Sequence, residues 1–151
     1  MRIKELEKQF RNEESLDEIF DTLKSEIEKV DEWSELLRDN QASNPEMAKQ
    51  ALGELTGVFM RLNVALSVAN SEKKNREVRA YNRIKQETEQ AGNKFVSASA
   101  DKQASAEVAD YRRIRNYIQG YVESCKSAMS SIQSVLKQIQ EEMRLGGKEE
   151  A

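Results

Sequence analysis

The chain has 151 residues, of which 34% are charged and 38% hydrophobic, with a formal net charge of −3, one proline, six glycines and no histidine. The lack of histidine removes the commonest general base, the Ser-His triad and most zinc sites, and the single cysteine, Cys125, cannot close an intrachain disulfide. Few helix breakers and many Glu, Lys, Gln and Ala residues predict an all-α protein of long helices packed along narrow seams. With no signal peptide and no long apolar run, the sequence indicates a cytoplasmic protein.

The first forty residues are acidic and are expected to form an N-terminal helical segment, residues 1–40. Residues 1–38 carry twelve Asp/Glu and seven Lys/Arg. A first helix is predicted in RIKELEKQF, and the capping-box spacing of Ser15 and Glu18 predicts a second helix that continues to about Arg38. The role of this segment stays open, and one hypothesis is that it docks as an autoinhibitor on a basic patch elsewhere in the chain.

A long helical hairpin is predicted for residues 41–151. Its first helix covers about 45–90, begins at an Asn44 cap with Pro45 in the first turn, and has an apolar seam at helical spacing. Gly53 and Gly57, four residues apart, indicate either a close helix crossing or two weak points in a continuous helix.

The second long helix of the hairpin is predicted over about 101–144, ending before Gly146-Gly147, and its length is roughly 65 Å. Its seam alternates steps of three and four residues and includes Cys125, which is expected to be a small buried hydrophobe. The connection centred near residue 96 makes the two helices antiparallel neighbours, with paired residue numbers summing to roughly 192.

Positive charge is concentrated in two stretches that this register brings to the same level. EKKNREVRAYNRIKQ, residues 72–86, holds six basic side chains, and YRRIRNY, residues 111–117, holds three more. Converging cations next to aromatic side chains suit a single nucleic-acid strand, since bases stack on aromatic rings for about 1–3 kcal/mol each. The candidate nucleic-acid-binding residues are Lys73, Lys74, Arg76, Arg79, Arg83, Lys85, Arg112, Arg113, Arg115, Tyr117 and Tyr121.

Another interpretation of the same charges is a solvated helix face in which Glu72 and Glu77 pair with nearby basic residues. Tyr111 belongs to the apolar seam and is expected in the core. Tyr81 is either a core residue or a stacking residue, because it shares helical spacing with its apolar neighbours.

The order of these features resembles the tailed-phage recombination mediators of the UvsY type. The resemblance covers roughly residues 45–145 and rests on ANSEKKNREVRAYNRI, then SADK at 99–102, then YIQGYVESCKSAMSSIQSVLKQIQEEMR at 117–144. It implies a single-stranded DNA-binding protein that forms ring-like homo-oligomers and helps load a recombinase onto DNA coated by single-strand-binding protein. It assigns the DNA contacts to KKNREVR, hence to Lys73, Lys74, Arg76 and Arg79, and it places the protein in the host cytoplasm.

The sequence therefore predicts a non-enzymatic DNA-binding protein with no cofactor, no metal and no membrane association. The alternative is a helical scaffold or adaptor, in phage assembly or regulation, with no nucleic-acid role. Long thin helices cannot bury every seam within one chain, so self-association is expected under both interpretations.

Overall fold

The computed structural model describes residues 3–39 and 44–149, except for the side chains of residues 148 and 149. The chain is 91% helical, and the described residues contain no strand. The helices are α1 (Ile3–Arg11), α2 (Glu18–Thr22), α3 (Lys24–Arg38), α4 (Pro45–Gln90), α5 (Ser97–Glu107) and α6 (Ala109–Glu149), with a 3-10 turn at Glu13–Ser15. Because α4 packs against α5 and α6, the predicted all-α class and helical hairpin are confirmed. The expected boundary at residues 40 and 41 lies outside the described residues.

The chain divides into two compact units, each containing part of the acidic N-terminal segment. One, here called the Trp33 unit, comprises residues 22–63 and 120–151, and the other, the Tyr111 unit, comprises residues 2–21 and 64–119. Both long helices contribute to both units, since α4 passes from one to the other after residue 63 and α6 after residue 119.

The N-terminal segment is more broken than the sequence pattern predicts. The helix over residues 3–11 is confirmed, but Asn12 is the cap of the following turn, since its side chain accepts a hydrogen bond from the Glu14 amide at 3.2 Å. The single helix expected from Ser15 to Arg38 is wrong, because the backbone departs from helical geometry at Leu23 and separates α2 from α3. The Ser15 hydroxyl accepts a hydrogen bond from the Asn12 side-chain amide at 3.2 Å, so Ser15 takes part in the turn that precedes α2.

Both ends of α4 follow the local chemistry of the sequence. The Asn44 side chain accepts a hydrogen bond from the Glu46 amide at 3.0 Å, which confirms the predicted cap. At the other end Gly92 has φ +74°, and the amides of Gly92 and Asn93 bond back to the carbonyls of Glu89 and Thr88 at 3.1 Å. This pattern is a Schellman motif, whose left-handed position favours glycine.

The glycines within α4 do not mark a close helix crossing. A Cβ atom at Gly53 would meet nothing within 4 Å, and one at Gly57 would contact only the flexible end of Arg61. The structure thus favours the interpretation of the two glycines as weak points in a continuous helix.

The second long helix is interrupted, which the sequence interpretation missed. The helical structure begins at Ser97, breaks at Val108 and then continues to Glu149. The predicted end before Gly146-Gly147 is therefore wrong, because both glycines lie inside α6. At the break the Arg112 guanidinium donates to the Ser105 carbonyl at 2.9 Å and also to the Ser105 hydroxyl. A side chain thus satisfies a carbonyl near the break, which helps to explain why an interruption is tolerated without a proline or glycine.

The core of the Trp33 unit contains part of the seams predicted for the two long helices, but Met143, at the end of the predicted α6 seam, is 71% exposed. Trp33 is buried and its indole N–H donates to Glu54 at 2.7 Å, while the buried Cys125 thiol donates to the Leu55 carbonyl at 3.2 Å. Burial raises the pKa of the Cys125 thiol above its ordinary value, with a smaller opposing effect of a backbone hydrogen bond. The cysteine therefore behaves as a buried hydrophobe.

Two charged residues of the Trp33 unit form the most buried ion pair of the described chain. The Glu26 carboxylate, 5% exposed, accepts a hydrogen bond from Arg61 Nε at 3.0 Å, while its second oxygen is buried without a partner among the described residues.

By length and composition alone, α4 is a candidate membrane-spanning helix. The core helices of soluble proteins meet the same two criteria. This apolar stretch was not expected from the sequence.

The core of the Tyr111 unit has three groups of side chains. Leu6, Phe10, Leu16 and Ile19 come from the N-terminal segment, and Tyr111, Ile114 and Ile118 come from α6. A third cluster joins Ala80 and Ile84 of α4 to Ala100 and Ala104 of α5, with Tyr81 and Phe95 packed against it. The three alanines are small, so α4 and α5 pack closely at a level within the basic stretch of α4.

Candidate nucleic-acid interface

The register of the hairpin in the Tyr111 unit decides which basic residues meet. Arg76 lies over the Tyr111 ring with 4.4 Å to its centroid, Arg83 pairs with Glu107, and Arg115 Nε donates to the Asn70 side chain at 2.6 Å. These pairs confirm an antiparallel arrangement. Their residue numbers sum to 185–190 rather than roughly 192, because α4 ends at Gln90 and α5 begins at Ser97, so the turn is centred nearer 93 than 96.

The Arg76 guanidinium makes its polar contacts with the N-terminal segment and is mostly shielded from solvent. Its guanidinium donates to the Arg11 carbonyl at 2.5 Å and to the Phe10 carbonyl at 3.4 Å, and it lies 3.5 Å from the Glu13 carboxylate. The Arg76 side chain is 23% exposed, and its Nε is buried without a partner. This residue, one of the strongest DNA-contact predictions, thus joins three elements of the fold.

The other basic residues of α4 fall into two groups. Lys73 pairs with Glu77 at 3.6 Å, and Arg83 pairs with Glu107 and, at 3.8 Å, with Glu87. The remaining three, Lys74, Arg79 and Lys85, are exposed and have no carboxylate partner among the described residues. Lys85 lies over the Phe95 ring, 5.5 Å from its centroid.

The three arginines of the YRRIRNY stretch of α6 have different partners. Arg113 is 60% exposed and pairs with Asp110 on its own helix at 3.6 Å. Arg112 donates to Ser105, and Arg115 donates to Asn70 and, at 2.9 Å, to Asn116. Arg112 and Arg115 have no carboxylate partner within the described ranges.

A cavity of about 230 Å³ opens in the Tyr111 unit where three of the predicted arginines converge. The charged and polar residues that line it are Arg76, Arg79, Arg83, Glu13, Glu107 and Tyr111. The structure therefore brings the α4 arginines together, but Arg112 and Arg113 do not line this cavity, so the expected common side for all of them is not seen there. What meets the α4 arginines from α6 is a tyrosine.

That tyrosine is in the core, as expected, but its hydroxyl is unusual. Tyr111 is 2% exposed, and its hydroxyl is buried without a hydrogen-bond partner. Burial raises the pKa of Tyr111 above its ordinary value, the Arg76 charge opposes that effect, and the carboxylates of Glu13, Glu72 and Asp110 add to it. The hydroxyl is thus a neutral donor over the physiological pH range.

The two tyrosines predicted to stack on bases differ in exposure. Tyr117 is 56% exposed and its ring contacts Phe20 edge-on, with 5.9 Å between centroids. Tyr121, in the Trp33 unit, is partly buried, and burial and the nearby Asp31 charge raise its pKa. Tyr81 is partly core, since its ring packs edge-on against Phe95.

Several residues of this site were missed by the sequence interpretation. Glu13 and Glu107 line the arginine cavity, and Arg11 pairs with Glu72 at 3.5 Å. The acidic composition of the N-terminal segment was the only signal for Glu13, because the fold brings it to Arg76 from more than sixty residues away. Among the residues that the structure describes, no group of three or more side chains could hold a metal ion.

Comparison of the chain with protein-family models, curated proteins and solved structures finds no match. Functional inference therefore rests on the residues of the chain itself and on the resemblance described above.

Proposed function

We propose that the protein binds single-stranded DNA and acts as a recombination mediator that helps load a recombinase onto DNA coated by single-strand-binding protein. The observation that carries the proposal is a set of basic residues in the Tyr111 unit with no carboxylate partner in the described part of the chain: Lys74, Arg79, Lys85, Arg112 and Arg115. Cations that are not neutralised within the fold favour a polyanion, because each phosphate contact releases condensed counterions. The mediator role itself rests on the UvsY-type resemblance.

The ion pairs of the neighbouring basic residues are compatible with DNA binding. The pairs of Lys73 with Glu77 and of Arg113 with Asp110 join side chains that are 27–73% exposed, at 3.6 Å. Exposed pairs of this kind contribute about 0–1 kcal/mol, so phosphate groups can replace their carboxylates. Arg76 is different, and its contacts with the Phe10 and Arg11 carbonyls make it a structural residue in this proposal.

Aromatic and apolar groups at the surface support two features expected of such a protein, base stacking and self-association. Tyr117 presents a half-exposed ring, on which an unpaired base can stack for about 1–3 kcal/mol. Met143 and Leu145 of α6 are 71% and 53% exposed, and such apolar surface favours self-association. Self-association would multiply weak contacts along one strand through effective concentration.

The test is DNA affinity across a salt series, measured by fluorescence anisotropy with a 5′-hydroxyl oligonucleotide of about 40 thymidines. Five phosphate contacts give a slope of log K against log salt near −3.5, at ~0.7 per phosphate. Replacing Lys74, Arg79 and Lys85 by glutamine should reduce that slope by about 2. Arg76 should be left unchanged, because its loss would disturb the packing of α1.

The matched control replaces Lys126, Lys137 and Arg144, three exposed basic residues of α6, by glutamine. This variant changes the net charge by the same amount at positions outside the proposed interface. Equal losses of affinity in the two triple variants, or no measurable DNA binding by the unmodified protein at moderate salt, would refute the proposal.

A second candidate function, a helical scaffold or adaptor without nucleic-acid binding, is favoured by one observation. Lys73, Arg76, Arg83 and Arg113 all have carboxylate partners, as expected for a solvated face that is neutralised within the chain. Oligomers by light scattering together with no affinity for the oligonucleotide would favour this function.

A further inference from the structure

We infer that the arginine cavity of the Tyr111 unit is an oxyanion site that takes a phosphate monoester. The cavity measures about 230 Å³, and Arg76, Arg79 and Arg83 line it together with Tyr111. Arginine is the side chain that matches phosphate geometry best, because its planar fork presents several N–H donors at once. Three arginines against the two carboxylates of Glu13 and Glu107 leave the wall with a formal charge of +1, which favours an anionic ligand.

Unpartnered donors in the wall of the cavity are the second, independent observation. The Tyr111 hydroxyl and Arg76 Nε are both buried, and neither has a hydrogen-bond partner among the residues that the structure describes. A buried polar group without a partner is costly, and more than nine in ten such groups in folded proteins are satisfied. Both groups belong to residues that line the cavity, so an oxyanion bound there is the candidate acceptor that would reduce this cost.

The charges that line the cavity leave room for an anion. Arg79 has no carboxylate partner in the described part of the chain, whereas Arg83 is paired with Glu107, and Arg76 lies 3.5 Å from the Glu13 carboxylate. The Glu13 side chain is 71% exposed, so its contact with Arg76 is weak and solvent-screened. A phosphate that replaces Glu13 exchanges one anion for another at Arg76 and also neutralises Arg79.

The recessed donors favour a monoester over an internal phosphodiester. A diester carries a substituent on each side of phosphorus, which keeps it at the surface of a groove between two nucleosides. A monoester has a single substituent and three terminal oxygens, so it can enter a cavity end-on. It also carries about −1.5 to −2 charges near pH 7, which suits a site with an excess of arginine.

This site does not depend on the proposed binding of internal DNA phosphates along α4. Its ligand can come from a free nucleoside monophosphate or from the 5′-phosphate of a strand, since the chemistry at the cavity is the same. The two proposals fail separately, because the DNA assay above uses a 5′-hydroxyl oligonucleotide and the assay below uses inorganic phosphate and thymidine monophosphate.

The test is calorimetric titration of the full chain with inorganic phosphate and with thymidine monophosphate at low salt. We expect saturable binding at one site per chain. Arg79→Gln should weaken it by about 10- to 100-fold and Tyr111→Phe by about fivefold, from the usual strength of charged and neutral hydrogen bonds. Glu13→Gln should tighten binding by about two- to fivefold, because it removes the competing carboxylate.

Matched controls separate local from general effects of charge and of folding. Glu14→Gln changes the adjacent exposed carboxylate, and Arg144→Gln removes an exposed arginine of the Trp33 unit. Neither change should alter the affinity. The gain expected for Glu13→Gln cannot arise from misfolding, so it keeps the test decisive even where another variant is unstable.

No saturable binding of either ligand, or binding that Arg79→Gln and Tyr111→Phe leave unchanged, would overturn the inference. A third titration compares 5′-phosphorylated and 5′-hydroxyl forms of one short oligonucleotide. Tighter binding of the phosphorylated form identifies a strand end as the source of the monoester. Equal binding of the two forms, with thymidine monophosphate still bound, identifies a free nucleotide.

Discussion

Replacing Arg61 by methionine should destabilise the Trp33 unit by about 2–3 kcal/mol. The Glu26 carboxylate is 5% exposed and Arg61 is its one charged partner in the described part of the chain. Methionine keeps most of the aliphatic stem of arginine but leaves a buried anion without a counter-charge. Loss of a fully buried partner costs about 3–5 kcal/mol, and the value is lower here because the Arg61 side chain is 46% exposed.

The assay is urea unfolding followed by the fluorescence of Trp33, the single tryptophan of the chain, which lies in the same unit. For a protein of this size, 2–3 kcal/mol corresponds to a fall in melting temperature of about 4–12 °C. The double variant Glu26→Met/Arg61→Met should lie within about 1 kcal/mol of the unmodified protein, because it leaves no charge buried.

Arg38→Gln is the matched control, since Arg38 is 77% exposed and Asp39, at 3.6 Å, is its one ion-pair partner among the described residues. Its effect should stay within about 0.5 kcal/mol. The reasoning is refuted if Arg61→Met is no more destabilising than Arg38→Gln, or if the double variant is as unstable as the single one.

Two further predictions concern Trp33 and Gly92. The hydrogen bond from the Trp33 indole holds the pKa of Glu54 below its ordinary value of 4.5. A carboxyl group with a lowered pKa stabilises the fold at pH values above its unfolded-state pKa, and this stabilisation is lost as the pH falls through the folded-state pKa. Part of the destabilisation caused by Trp33→Phe should therefore be present at about pH 7 and absent at about pH 3. Urea unfolding followed by circular dichroism at both pH values measures this difference. An equal loss of unfolding free energy at both pH values would contradict the prediction. Gly92→Ala should cost about 1–2 kcal/mol because φ is +74°, whereas Gly53→Ala, inside α4, should stabilise by about 0.5–1 kcal/mol; loss of melting temperature in both variants would exclude the backbone explanation.

Some helix boundaries of this fold follow local sequence signals, although the capping-box spacing at Ser15 and Glu18 did not give one continuous helix. The Asn44 cap and the apolar periodicity of α4 act within a few residues, and the structure agrees with both. The break at Val108 could not be found in this way, because no proline or glycine marks it. The nearby Ser105 carbonyl accepts a hydrogen bond from the Arg112 side chain instead of from a backbone amide. Such a break depends on side-chain geometry that composition does not encode.

The candidate site was predictable only in part, for a related reason. The concentration of basic residues in one stretch of the sequence predicted Arg76, Arg79 and Arg83 as candidate site residues, and these three line one cavity. The short connection between the long helices predicted that an antiparallel helix packs beside them, and the structure agrees. Which residues face them depends on the length of the turn. A shift of the turn centre by about three residues moves each partner by about five, so Arg76 faces Tyr111 rather than position 116. The contact of Glu13 with Arg76 depends on tertiary packing of α1, for which no local rule exists.

The burial of Cys125 supplies the chain with an internal reporter. A lone thiol with no exposed surface and a raised pKa reacts with alkylating reagents only when its surroundings open. Mass spectrometry after timed labelling would consequently count openings of the Trp33 unit without any engineered probe, and the ratio of labelling rates in the folded and urea-unfolded chain would give the free energy of that opening.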